Sequence, residues 1–143
     1  MKKISVIYWS GTGNTQAMAE AIAEGANENG AEVKLLNVSD ASKVDVFEAD
    51  VVVLGCPSMG SENLEESEME PFVEDIEKED ISSKPFALFG SYDWGDGQWM
   101  QEWEDRMTDK GVSLVDSGLI IQNTPDQDDL EKCRALGHKL AEA

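Results

Sequence analysis

The chain has 143 residues, with 30 acidic against 11 basic side chains and a formal net charge of −19. Such a field repels nucleic acid and anionic membranes and favours a partner protein with a basic docking face. No apolar run reaches transmembrane length and no signal-peptide pattern opens the chain, so a cytoplasmic protein of one domain, residues 1–143, is expected.

The first element, Ile4–Trp9, is rich in β-branched and aromatic residues and reads as a strand. It runs into Ser10-Gly11-Thr12-Gly13-Asn14-Thr15, all small or short side chains, and then into the Ala-rich stretch Gln16–Ala23. Met18, Ile22 and Ala26 recur at four-residue steps, as on one face of a helix. A strand, a tight polar turn and a helix therefore meet within six residues. Two glycines let the backbone curl its N–H groups inward at the positive end of the helix dipole, which makes a cup suited to phosphate. No Lys or Arg lies between Lys3 and Lys34, and Gln16 stands where a third glycine would fall. The loop is thus neither a Walker A loop nor the dinucleotide fingerprint. An ordinary βα turn with a Ser/Thr cap is the other reading of the same residues.

Glu32–Asn37 and Val51–Gly55 are the next strands, the latter an unbroken apolar run of the kind covered on both faces. A second loop, Cys56-Pro57-Ser58-Met59-Gly60-Ser61-Glu62, follows. Met59 is a polarizable apolar side chain in a loop, Gly60 permits a turn with positive φ, and Glu62 can accept a hydrogen bond from a ligand. A plain surface turn fits the loop equally well. Residues 62–80 hold ten acids against the single base Lys78. This run reads either as a solvated face or as a docking surface for a basic partner. Within it, segment 65–77 puts Met69, Phe72, Val73 and Ile76 on one helical face, with Pro71 best placed in the first turn.

Phe86–Gly90 is another apolar strand and leads into Gly90-Ser91-Tyr92-Asp93-Trp94-Gly95-Asp96-Gly97. Trp94, between acids and glycines, reads as a stacking platform or as an anchor pinning the loop. Trp99 and Trp103 sit at helix spacing and read as packing, as do Met100 and Met107. The last strand spans Val112–Val115 and continues to Leu119–Ile121; a final helix carries Leu130, Cys133, Gly137 and Leu140 on one face. His138 reads as a surface residue. Cys56 and Cys133 lack paired-ligand spacing, so they read as reduced thiols and no zinc or iron–sulfur site is expected. The order β-α-β-(turns)-β-α-β-α-β-α argues for a parallel sheet covered on both sides. Right-handed crossovers bring the three loops to its carboxyl edge, where such sheets bind ligands.

Together these loops resemble those of the flavodoxin family, from the first strand to the last helix. Ser10–Thr15 is similar to the family's phosphate loop, and Met59-Gly60-Ser61-Glu62 to the redox-sensitive turn of the clostridial type. Gly90–Gly97 resembles the second flavin loop, and Gln122-Asn123-Thr124-Pro125 the segment near the ribityl chain. The last strand, short and uninterrupted by a long insertion, resembles the short-chain branch. The resemblance implies an α/β, flavodoxin-like doubly wound five-stranded parallel sheet in the order 2-1-3-4-5, with helices on both faces. It implies non-covalent FMN and low-potential one-electron transfer by a carrier, not an enzyme.

Carried over by position, Ser10, Thr12, Asn14 and Thr15 would hold the phosphate, with Gly11 and Gly13 shaping the loop. Pro57, Ser58, Met59, Gly60, Ser61 and Glu62 would form the second contact. Met59 would cover the inner ring face, Gly60 would offer its carbonyl, and Glu62 would accept from the ring N3–H. Ser91, Tyr92, Asp93, Trp94, Gly95 and Asp96 would form the third, with Trp94 on the outer face and the amides of Asp93 and Gly95 at the pyrimidine edge. Asn123 would meet the ribityl hydroxyls. Three residues depart from the family's usual pattern: Pro57, Ser61 where Asp is common, and Asp93 where Gly is common. Adding charge to the flavin amid many carboxylates is unfavourable, since two unit charges about 7 Å apart at an effective dielectric near 20 interact by roughly 2 kcal/mol. The expected working couple is therefore semiquinone/hydroquinone, in a monomer that serves redox partner proteins. The alternative is an NAD(P)H-dependent FMN or quinone reductase of the same fold, which needs room over the flavin that Trp94 would obstruct.

Overall fold

A computed structural model describes residues 2–11, 13–59 and 64–143 of the chain. The strands are β1 (Lys3–Tyr8), β2 (Glu32–Asn37), β3 (Val51–Gly55), β4 (Pro85–Tyr92), β5 (Ser113–Leu114) and β6 (Leu119–Gln122). The helices are α1 (Asn14–Glu28), α2 (Lys43–Phe47), α3 (Met69–Glu77), α4 (Gln98–Asp109) and α5 (Gln127–Glu142). The pairings among these six strands are all parallel, in the order β2-β1-β3-β4-β5, and β6 also pairs with β4. β5 pairs with Pro85 and Phe86, and β6 with Phe89–Tyr92, so the two segments fill one fifth position in succession. The doubly wound order 2-1-3-4-5 is as expected; the last strand is split by a short bend.

Side-chain alternation divides the sheet between two cores. Ile4, Val6, Val51, Val53, Ala87 and Phe89 pack with Met18 and Ile22 of α1 and with Leu136 and Leu140 of α5. Ile7, Val52, Leu54, Phe86 and Leu88 face the other way, against Val73 and Ile76 of α3 and Trp103 and Met107 of α4. Trp99 and Trp103 are each 2% exposed, which makes them packing residues.

Two features differ from the sequence expectation. β4 runs on through Ser91 and Tyr92, so the third loop begins at Asp93. The short α2 stands where only turns were expected; its entry is fixed by Ser42, whose N–H donates to Asp45 Oδ2 at 2.9 Å. Five residues are too few to show helical periodicity, whereas a local cap can nucleate one turn.

Candidate functional site

Backbone bonding extends the sheet past its carboxyl edge and fixes where each loop starts. Trp9 N donates to Gly55 O at 3.0 Å, Cys56 N to Phe89 O at 3.1 Å, Ser58 N to Ser91 O at 3.0 Å, and Asn123 N to Tyr92 O at 2.8 Å. The result is a cleft of about 140 Å³ lined by Trp9, Gly11, Asn14, Pro57, Ser58, Met59, Ser91, Tyr92 and Asp93. Residues from all three loops thus share one wall-to-wall site at the end of β1, β3 and β4. Trp9 had read only as the end of a strand. Its large aromatic ring at the strand's last position, next to a glycine-rich turn, was the available signal. Its indole N–H donates to Glu68 Oε1 at 3.3 Å, and a Cβ on Gly11 would lie 3.0 Å from its ring. Gly11 therefore lets the first loop pass close over Trp9.

α1 is preceded by its N-cap Gly13, whose φ of +98° is in the left-handed region that favours glycine. The Ser10 hydroxyl accepts from Gly13 N at 3.0 Å and keeps its own proton for a ligand. The first turn of α1 carries no acidic side chain. Its N–H groups, at the positive end of the dipole, therefore meet no competing carboxylate from that turn. Thr15 lies apart from the opening: its Oγ1 is 2.8 Å from Ser91 Oγ, with both residues buried.

Trp94 is 60% exposed, so it does not pin its loop to the core. Asp93, Gly95 and Asp96 beside it are also exposed. Gly95 and Gly97 both have φ near +90°, and the Asp93 carbonyl accepts from Gln122 Nε2 at 3.2 Å. Asn123, at φ +60°, is a left-handed residue where the chain turns off β6 beside Tyr92. Tyr92 in turn packs on Trp99, with ring centroids 5.5 Å apart. The expected contacts Thr12, Gly60, Ser61 and Glu62 lie outside the described residues. His138 is exposed, within 3.3 Å of Glu28, far along α5 from the cleft. Among the described residues no helix is long and apolar enough to cross a membrane, and no cluster of ligating side chains suits a metal ion.

The cleft joins Gly11 and Asn14 of the first loop to Met59 of the second and to the end of β4, while Trp94 is not among its lining residues. A doubly wound parallel sheet in the order 2-1-3-4-5, with a cleft at its carboxyl edge, defines the flavodoxin-like class of fold. The family model described as flavodoxin matches residues 6–137. The flavodoxin of Clostridium beijerinckii is 49% identical over 138 residues, covering 96% of this chain and 99% of that protein. The flavodoxin of Megasphaera elsdenii is 41% identical, over 98% of this chain and 99% of that one. The solution structure of the two-electron reduced Megasphaera elsdenii flavodoxin superposes with a TM-score of 0.88 at 42% identity, covering 98% of this chain and 99% of that one. A flavodoxin from the domain Archaea superposes with a TM-score of 0.90 at 30% identity, covering 98% and 96% of the two chains. The chain belongs to the flavodoxin family: it is a small FMN-binding electron carrier, and not an enzyme.

Proposed function

We propose that FMN lies with its phosphate in the cup between β1 and α1 and its ring between the loops that follow β3 and β4. The observation that carries this reading is the convergence of Gly11 and Asn14, Ser58 and Met59, and Ser91 to Asp93 on one cleft. When bound, FMN supplies one-electron redox chemistry, which the protein tunes through packing, hydrogen bonds and charge. Ser10, Asn14 and the first N–H groups of α1 hold the phosphate, with Thr12 continuing the same loop. Thr15 acts from behind through Ser91. Met59 covers one ring face and Trp94 the other; exposed as Trp94 is, a flat ring against it removes apolar surface from water. Backbone amides of Asp93 and Gly95 meet the polar edge of the ring, Asn123 the ribityl chain, and Gly60 to Glu62 the remaining edge. The carboxylates of Asp93 and Asp96 oppose added negative charge near the ring.

In this reading the chain works as a monomeric single domain in the cytoplasm, a reducing compartment that suits its two free buried thiols. It passes single electrons between redox proteins with basic docking faces, mainly through the lower of its two one-electron couples. An anaerobic reductive titration followed by absorbance tests the redox part: two resolved one-electron steps are expected, and a single two-electron step would sink it. Comparing FMN with riboflavin tests the cup. Charge-assisted hydrogen bonds contribute about 1.5–3 kcal/mol each, so FMN should bind more than about tenfold tighter. Equal affinities would remove the phosphate from Ser10–Thr15.

A further inference from the structure

Trp9 and Glu68 are 59 positions apart in the chain, yet the indole N–H of Trp9 donates to Glu68 Oε1 at 3.3 Å. Trp9 lines the cleft together with Gly11 and Asn14 of the first loop. We propose that Glu68, acting through Trp9, is a positioning residue for the phosphate cup, so that the start of α3 sets how strongly the protein prefers FMN to a flavin without phosphate.

Trp9 is placed where its orientation governs the loop above it. Its backbone N–H donates to Gly55 O at 3.0 Å, which fixes its Cα beside β3. Its half-buried ring packs against the core that also holds Met69 and Val73 of α3. A Cβ on Gly11 would lie 3.0 Å from Trp9 Cη2 and 3.2 Å from Cζ3, so the loop backbone runs directly against the outer ring. A turn of the indole therefore moves Gly11, within a loop where the Ser10 hydroxyl accepts from Gly13 N at 3.0 Å. The indole N–H is the one polar handle on that ring, and its bond to a carboxylate is charge-assisted.

Glu68 is free to take this bond because another carboxylate does its local work. It is the N-cap residue of α3, but its side chain makes no cap bond. The N–H groups of Ser67, Glu68 and Met69 go instead to the buried carboxylate of Glu65, at 2.7, 2.8 and 3.0 Å. Burial raises the Glu65 pKa, but the bonds from Ser67, Met69 and Glu68 outweigh that and hold it below the ordinary carboxylate range. Glu65 N donates in turn to Cys56 Sγ at 3.3 Å, next to the end of β3. The start of α3 is thus anchored before Glu68 reaches Trp9, and the support for the first loop is continuous from the core outward. Oriented donors serve a ligand only when held to within about 0.5 Å, so slack in Trp9 is felt at the phosphate. Charge acts in the opposite direction: a carboxylate near a phosphate repels it. The two roles of Glu68 therefore differ in sign.

This role rests on the FMN phosphate lying in the cup, as proposed above. The test measures the affinities of the full chain, freed of flavin, for FMN and for riboflavin, with Glu68→Ala, Glu68→Gln and Trp9→Phe beside the unaltered protein. Glu68→Ala should lower the FMN-to-riboflavin affinity ratio about tenfold. Glu68→Gln, whose amide oxygen still accepts, should keep the ratio within about threefold of the unaltered protein. Trp9→Phe, which loses the N–H and the outer ring, should match Glu68→Ala; if it fails to fold, the two half-buried Glu68 variants decide alone. A higher ratio in both Glu68 variants would assign Glu68 to repulsion and overturn the proposal. So would a ratio within threefold in Glu68→Ala, or a fall in Glu68→Gln as deep as in Glu68→Ala. Equal affinities of the unaltered protein for FMN and riboflavin would instead sink the placement of the phosphate.

Discussion

The hydroxyls of Thr15 and Ser91 are 76 positions apart in the chain and 2.8 Å apart in space, and both residues are buried. They join the first turn of α1 to the end of β4, so the cup and the third loop share one rigid support. Thr15→Val keeps the side-chain shape and strands the Ser91 hydroxyl, a loss of about 1–3 kcal/mol for a buried unsatisfied group. Denaturant unfolding of the apoprotein should show that loss, with Thr15→Ser retaining most of the wild-type stability. An unchanged midpoint in Thr15→Val would mean the pair contributes nothing to the fold. Which residues supply hydroxyls was legible in the sequence; that these two face each other was not, because the contact depends on how α1 packs across the sheet.

At the scale of elements, α1 and α5 approach closely at two glycines. A Cβ on Gly25 would lie 2.1 Å from Arg134 O, and one on Gly137 would lie 2.2 Å from Ile22 O. These are contacts with backbone, which cannot swing aside. Gly137→Ala should therefore push the helices apart and destabilise the protein by about 1–3 kcal/mol, despite alanine's better helix propensity. Urea unfolding checks the sign: greater stability in Gly137→Ala would show that the helices separate at no cost. On the opposite face, Arg106 of α4 holds both Glu70 and Glu77 of α3, with all four N···O contacts at 2.7–2.9 Å. The planar guanidinium serves two carboxylates at once, a geometry lysine cannot reproduce. Gly137 had read as one more residue on an apolar face, since periodicity finds the buried face of a helix and leaves its distance to the neighbour open.

Over the whole molecule, the net charge of −19 acts at long range. Electron transfer to a basic redox partner should slow by about tenfold as salt rises from about 0.01 to about 0.1 M, where the Debye length falls from about 30 to about 10 Å. Stopped-flow rates over that range test this. A rate indifferent to salt would leave residues 62–80 as a solvated surface. The described acids of that run are not equivalent in the structure. Glu70 and Glu77 are bound to Arg106, and Glu65 is buried four residues before α3. A run of like charges conceals such differences, because nothing local distinguishes a carboxylate that faces water from one that closes a helix.

The neutral glycine loop at Ser10–Thr15 stands where the sequence put it: at the end of the first strand, at the start of a helix, with no basic side chain of its own. That much is chemistry carried by neighbours in the chain, and so is the alternation that places strands and helices. It was the tertiary structure that drew Trp9 into the cleft, turned Thr15 toward Ser91, left Trp94 in water and brought Cys56 against Glu65. Each of those outcomes depends on which distant surface a side chain meets, and that is decided only when both faces of the sheet have been covered. The cofactor class was therefore written locally, while the support behind it belongs to the packed molecule.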